Sequence, residues 1–219
     1  MSEEQDRHSK ALEPTLVSDP DEIARIEARN GVRQTDAVTE MIEYFSHPEH
    51  KFKLRPSHLL HLHRIALEGL SSYAGNWRPA GIEIKGSKHQ PVGAHLVPEE
   101  IEQLCDYVND HWSETSPLHL AAYALWKLNW IHPFTDGNGR TARALSYLLL
   151  CLKLGYRLPG KKTIPDQISK DKNPYYRALE TADKEWASNK IDLSALEGLL
   201  ADLLAEQLAS VHDEAKGNR

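Results

Sequence analysis

Trp130-Ile131-His132-Pro133-Phe134-Thr135-Asp136-Gly137-Asn138-Gly139-Arg140-Thr141-Ala142-Arg143 is the stretch on which the reading of this chain turns. It lies between two strongly apolar segments whose periodicity predicts helices over about 117–130 and 139–154. Pro133 bars the first helix from continuing, so His132 falls where that helix ends. Gly137 and Gly139 permit positive φ, and the second helix begins at once. Its first N–H groups have no intrahelical partners and form a pocket for an anion. Arg140 and Arg143, three apart, add positive charge to one face of that helix. Asp136 would repel a phosphate unless a Mg²⁺ ion stood between them. His132 is the nearby group able to take a proton near neutral pH. Base, carboxylate, anion pocket and arginines together suit phosphoryl or nucleotidyl transfer.

Simpler explanations of the same residues fare worse. In a calcium-binding loop with Asp136 and Asn138 at positions three and five, Phe134 and Leu145 would occupy positions that need oxygen ligands. A Walker A loop needs Lys-Ser/Thr after its last glycine, and Gly139 is followed by Arg140-Thr141. A plain glycine-rich turn with surface arginines accounts for any one residue but not for the ensemble. Phe134 reads as core.

Outward from this stretch the chain is helical. It has 219 residues, 40% of them apolar, enough for one ordinary domain. Helices are expected from Asp19-Pro20 to the Asn30-Gly31 punctuation, from Val32 to about Phe45, and from a Ser57 cap through Leu70. Further helices are expected over about 99–111, 174–186 and 193–208, with Gly155 ending the one that starts at Gly139. Residues 71–98 differ, being rich in Gly and Pro. Ile82-Glu83-Ile84-Lys85 alternates like a strand, and 86–89 reads as the turn of a small β-hairpin. The fold class is mainly α with one hairpin.

Composition removes several functions. The formal net charge is -6, from 26 Lys+Arg against 32 Asp+Glu, which disfavours a nucleic-acid binder. No apolar run is long enough to span a membrane, and Met1 to Lys10 is charged without a leader's apolar core. Two cysteines make no disulfide framework, so a reducing, cytoplasmic setting is expected. Of the 12 histidines, His58, His61 and His63 lack the further ligands that a metal site would need, and read as packing or exposed residues. His89, His95 and His119 read the same way, and Cys151 reads as core.

The segment HPFTDGNGRTAR resembles the HPFxDGNGRxxR motif of the Fic (filamentation-induced-by-cAMP) family at all nine specified positions. Leu62-His63-Arg64, Gly69-Leu70 and Gly75-Asn76-Trp77-Arg78 resemble the family's LHR…GL…GxxR segment ahead of its flap. Tyr175-Tyr176-Arg177-Ala178-Leu179 is similar to its YYxAL helix. The resemblance covers about 22–186. It implies a Fic-type helical bundle with a hairpin flap, divided as an N-terminal tail (1–18), an N-terminal helical segment (19–50), a Fic core (51–190) and a C-terminal helix and tail (191–219).

The resemblance further implies a protein adenylyltransferase that transfers AMP from ATP to a Ser, Thr or Tyr hydroxyl of a target protein. His132 would be the base and Asp136 the Mg²⁺ ligand. Gly137, Asn138 and Gly139 would cradle the phosphates, while Arg140 neutralises the outer ones and Arg143 engages the γ-phosphate. Tyr175 and Tyr176 would line the adenine site, and Ile82, Glu83, Ile84 and Lys85 of the flap would align the target by strand addition. Ile23-Ala24-Arg25-Ile26-Glu27-Ala28 resembles the family's inhibitory helix in its Ile-Glu core. It departs at Ile23 and Ala28, where the family has Ser/Thr and Gly/Asn. Glu27 would then pair with Arg143 and block the γ-phosphate position. The same site could remove AMP instead, or act as a nucleotide-binding adaptor without turnover. The γ-phosphoryl transfer of the Doc branch is disfavoured, because Gly139 stands where that branch has Lys. The oligomeric state is open, a homodimer included.

Overall fold

The structure is a computed structural model that describes residues 13–215, with side chains described to 211. Residues 1–12 of the expected tail and residues 216–219 lie outside the described residues. The described chain forms eight α-helices: α1 (Pro20–Ser46), α2 (Pro56–Leu67), α3 (Val97–Asp110), α4 (Pro117–Ile131), α5 (Asn138–Leu154), α6 (Ile164–Lys170), α7 (Asn173–Trp186) and α8 (Ser194–Ala215).

A helical hairpin of α4 and α5 forms the centre, joined by residues 132–137. Helix α4 has no polar face, because every residue from Leu120 to Leu128 is buried. Such a helix must be wrapped, and α3 and α8 cover it while α1 and α2 cover α5. Ser116 caps α4 by accepting from the His119 N–H at 3.0 Å, and Pro117 supplies a preset φ at its first turn. Gly155 ends α5 at φ 83°, where only glycine is comfortable.

The one charge buried on α4 is Lys127. Its ammonium pairs with Glu100 at 2.8 Å and lies 4.0 Å from the ring centre of Trp130 and 5.0 Å from that of Trp186. Trp126 completes the aromatic group, 5.6 Å from Trp186 and 6.4 Å from Trp130 between ring centres. Indole faces and a carboxylate together replace the water that the cation gives up.

Four local readings change. Helix α1 runs unbroken through Asn30-Gly31. The Asn30 amide is buried and donates to the carbonyls of Ala66 at 3.3 Å and Glu68 at 2.8 Å, capping the end of α2, so its tertiary role overrides its turn propensity. Helix α2 is entered from Arg55 and Pro56, which leaves Ser57 inside the helix. Helix α6 was not expected from periodicity, being only seven residues long. The stretch 82–93 holds little strand. Ile84 alone carries bridge pairing, and a turn follows in which Ser87 N–H donates to the Ile84 carbonyl at 3.1 Å. Among the described residues no helix is long and apolar enough to cross a membrane.

Candidate active site

The loop between α4 and α5 is clipped by its own side chains. Asn138 is buried, and its amide accepts from Phe134 N–H and donates to Phe134 C=O, both at 2.9 Å. This side chain closes the loop, so only its backbone N–H is left for a ligand. Gly137 starts α5 at φ 73°, and a Cβ there would lie 2.2 Å from Leu67 Cδ2. Conformation and space both demand glycine. Behind the loop His63 stacks flat on Phe134, with ring centres 3.7 Å apart. Its Nε2–H donates to the Asp136 carbonyl at 3.0 Å, and its Nδ1 accepts from Gly75 N–H at 3.0 Å. Burial above all holds its pKa down to about 4, so it serves as a neutral strut.

His132 ends α4 in the left-handed conformation, with φ 52° and ψ 58°. For a non-glycine residue this costs about 1–2 kcal/mol and needs support. The support lies in the carbonyls that the helix end leaves without partners. His132 N–H takes Leu128 C=O at 2.9 Å, and its ring Nδ1 takes Asn129 C=O at 3.1 Å. His89 Nε2–H takes Trp130 C=O at 2.7 Å. Arg78 takes the rest, with Nη2 3.5 Å from Ile131 C=O, Nε 2.8 Å from His132 C=O, and its backbone N–H 2.8 Å from Pro133 C=O. The same buried guanidinium reaches Ala80 C=O at 2.9 Å and Val92 C=O, on the two limbs of the flap. A cation at the carbonyl end of a helix is also favoured by the helix dipole.

A carbonyl can only accept, so the Asn129 contact fixes the proton of His132 on Nδ1 and leaves the lone pair on Nε2. Burial, followed by the nearby His89 and Arg78, pushes its pKa down to about 4 against the opposing pull of Asn129 and Asp136. The ring is neutral at neutral pH, in the form that accepts a proton.

Asp136 accepts from Gly137 N–H at 2.5 Å and from Arg140 Nη2 at 2.9 Å. Arg140 Nη1 in turn meets Glu27 Oε1 at 3.2 Å. Glu27 therefore reaches the motif, but through Arg140 and not through the expected Arg143. No ion pair of Arg143 occurs among the described residues, and its Nη1 would lie 3.1 Å from a Cβ at Gly139.

A cavity of about 410 Å³ opens over the start of α5. It gathers Glu27, His132, Asp136, Gly137, Asn138, Gly139, Arg140, Arg143, Tyr175 and Tyr176, all expected. Of the four flap residues only Ile84 reaches it. Ile82 turns into the core, and Glu83 and Lys85 are exposed. The sequence reading missed His89, Trp130, Lys172 and Asp183, which also line the cavity. His89 carried no signal beyond its position in the flap, and Trp130 and Asp183 are indistinguishable from other helical residues until α4 and α7 face each other.

Among the described residues no three His, Cys, Asp or Glu side chains gather as a metal cage. Asp136, half exposed at the cavity, fits the way Mg²⁺ is usually held, by one or two carboxylates completed by phosphate oxygens and water.

The Fic/DOC family model matches residues 53–150. The chain is 37% identical over 94 residues to protein adenylyltransferase fic-1 of Caenorhabditis elegans, covering 42% of this chain and 18% of the relative. It is 33% identical over 136 residues to protein adenylyltransferase Fic of Drosophila persimilis, covering 61% of this chain and 25% of that one. The solved structure of Fic-1 from C. elegans superposes with a TM-score of 0.65 at 25% identity, covering 86% of this chain and 52% of that chain. The chain thus spans about a quarter or less of the length of these curated relatives. The stretch 53–150, which contains the whole loop from His132 to Arg143, thus matches the Fic/DOC family, and the helical fold is shared with a solved Fic protein.

Proposed function

We propose that the protein is an adenylyltransferase that moves AMP from ATP to a Ser, Thr or Tyr hydroxyl of a target protein. The observation that carries this reading is the state of His132: a neutral imidazole, its Nδ1–H tied to Asn129, its Nε2 left to accept a proton beside the anion pocket of α5. The target hydroxyl oxygen attacks the α-phosphorus and passes its proton to Nε2. The bond from the α-phosphorus to the bridging oxygen breaks, and pyrophosphate leaves. The backbone N–H groups of Asn138 and Gly139, with Arg140 and Arg143, hold the phosphates where charge builds up, while the Gly137 N–H orients the Asp136 carboxylate. Mg²⁺ on Asp136 would neutralise phosphate charge when bound. Tyr175 and Tyr176, on the wall made by α7, suit the base of the nucleotide. The names of the curated relatives favour AMP over γ-phosphoryl transfer.

Glu27 acts as a brake in this reading, since its carboxylate occupies an arginine that the phosphates need. The two buried free cysteines fit a cytoplasmic setting. The test is to incubate the protein with lysate and ATP labelled at either the α- or the γ-phosphorus. Protein should take up the α label only, and His132→Ala should lower uptake at least a hundredfold. Equal labelling by His132→Ala rejects the proposal, and uptake of the γ label alone replaces it with phosphoryl transfer.

A further inference from the structure

The flap is held to α4 at two places. Arg78 fastens its base, bonding the entering limb at Ala80, the leaving limb at Val92 and the His132 carbonyl between them. Nearer the tip the only side chain that reaches α4 through a hydrogen bond among the described residues is His89, from Nε2–H to Trp130 C=O. A short chain of bonds continues from there to the tip. His89 N–H donates to Ser87 Oγ at 3.2 Å, and Ser87 N–H donates to Ile84 C=O at 3.1 Å. Ile84 and Ser87 are the flap residues that face the cavity along with His89 itself. On its other side the ring stands 3.9 Å from Asp183 of α7, whose second oxygen is fixed by the Trp126 indole N–H at 2.8 Å. The ring is mostly buried, its side chain 14% exposed.

We propose that His89 is a positioning residue that latches the flap tip to the helix end bearing His132. The latched carbonyl lies two residues before His132, so the edge presented by Ile84 and the accepting Nε2 of His132 share one rigid support. Among the described residues Ile84 alone of the limb is bridged, and no strand ladder extends from it toward the tip. In an enzyme that must bring a foreign hydroxyl to His132, the latch sets the register of the target rather than the affinity for nucleotide. This consequence rests on the adenylyltransferase reading, whereas the latch itself does not.

His89→Ala and His89→Gln separate the two. Glutamine carries an N–H that can reach Trp130 C=O, and alanine does not. Amide hydrogen exchange of the whole protein should show Ser87 and its neighbours exchanging about fivefold to tenfold faster in His89→Ala, as expected for one lost hydrogen bond, and near the parent rate in His89→Gln. Affinity for a non-hydrolysable ATP analogue should change less than twofold in both. AMP transfer to a target at saturating ATP should fall about tenfold in His89→Ala and recover in His89→Gln. Unchanged flap exchange in His89→Ala overturns the latch, as does a loss that glutamine fails to restore. Faster flap exchange in a protein that transfers no AMP keeps the latch and rejects the adenylyltransferase reading.

Discussion

Arg78 and His132 stand 54 positions apart in sequence, yet the guanidinium of one holds the carbonyl of the other at 2.8 Å. Among the described residues no carboxylate answers Arg78; its partners there are neutral carbonyls of the α4 end and the flap. Arg78→Lys keeps the charge but cannot reach several carbonyls at once. It should destabilise the protein by about 2–4 kcal/mol, because buried acceptors lose their donors, and free His132 from its left-handed conformation. Chemical denaturation gives the first quantity. The second appears as a shift in the His132 ring signals by NMR.

Gly137→Ala meets Leu67 Cδ2 at 2.2 Å as well as an unfavourable φ of 73°. Transfer activity should drop at least a hundredfold, with a stability loss of about 2–3 kcal/mol. Adding Leu67→Ala removes the clash and leaves the strain, so the double variant should regain part of the stability that the additive sum predicts lost. Thermal melts of the four-member cycle measure this coupling.

Glu27→Gly should raise self-modification. The Glu27 side chain is 49% exposed and Arg140 26% exposed, so solvent screens their pairing to about 1 kcal/mol or less. The expected gain is therefore about twofold to fivefold, and it should shrink as salt rises. Labelling with α-labelled ATP at low and high salt checks both. A gain a hundredfold or more would mean that α1 blocks the cavity by more than this pair.

Acid stability should fall in a window set by two histidines. His63 and His132 both have pKa values near 4 in the folded protein, below the ordinary 6.5, because burial disfavours their charged forms. The unfolded chain therefore binds protons first as pH drops. Their contribution is complete above about pH 6.5 and is lost as pH falls toward 4, reaching about 2 kcal/mol per histidine by pH 5. Urea unfolding at a series of pH values reads this directly. His63→Gln, whose amide can both donate to Asp136 and accept from Gly75, should flatten the slope by about half.

The loop from His132 to Arg143 was legible from sequence because its constraints are local: a proline, glycines, and a helix start directly behind them. Phe134 as core was legible for the same reason. Glu27 was legible as a residue that reaches the motif arginines, but its partner was not, since the choice between Arg140 and Arg143 depends on how α1 lies across α5. Asn30-Gly31 looked like a break because nothing nearby in sequence reveals that the Asn30 amide caps α2. Helix α6 did carry a signal that periodicity overlooks. Thr163 accepts from Asp166 N–H, and Thr-x-x-Asp around a proline marks a helix start. Arg78 and His89 could not be read as supports, because their acceptors are backbone atoms more than forty positions away and any side chain can stand there.

The cage around Lys127 has a practical side. Trp126 and Trp130 face the cavity, and Trp186 stands within 6.0 Å of the second of them, so three of the five tryptophans of the chain report from one wall of the site. A nucleotide base settling against them, or a movement of His89 beside Trp130, would alter the polarity and quenching that these indoles experience. The protein carries its own optical sensor, and the filling of the site can be followed by intrinsic fluorescence without attaching a dye.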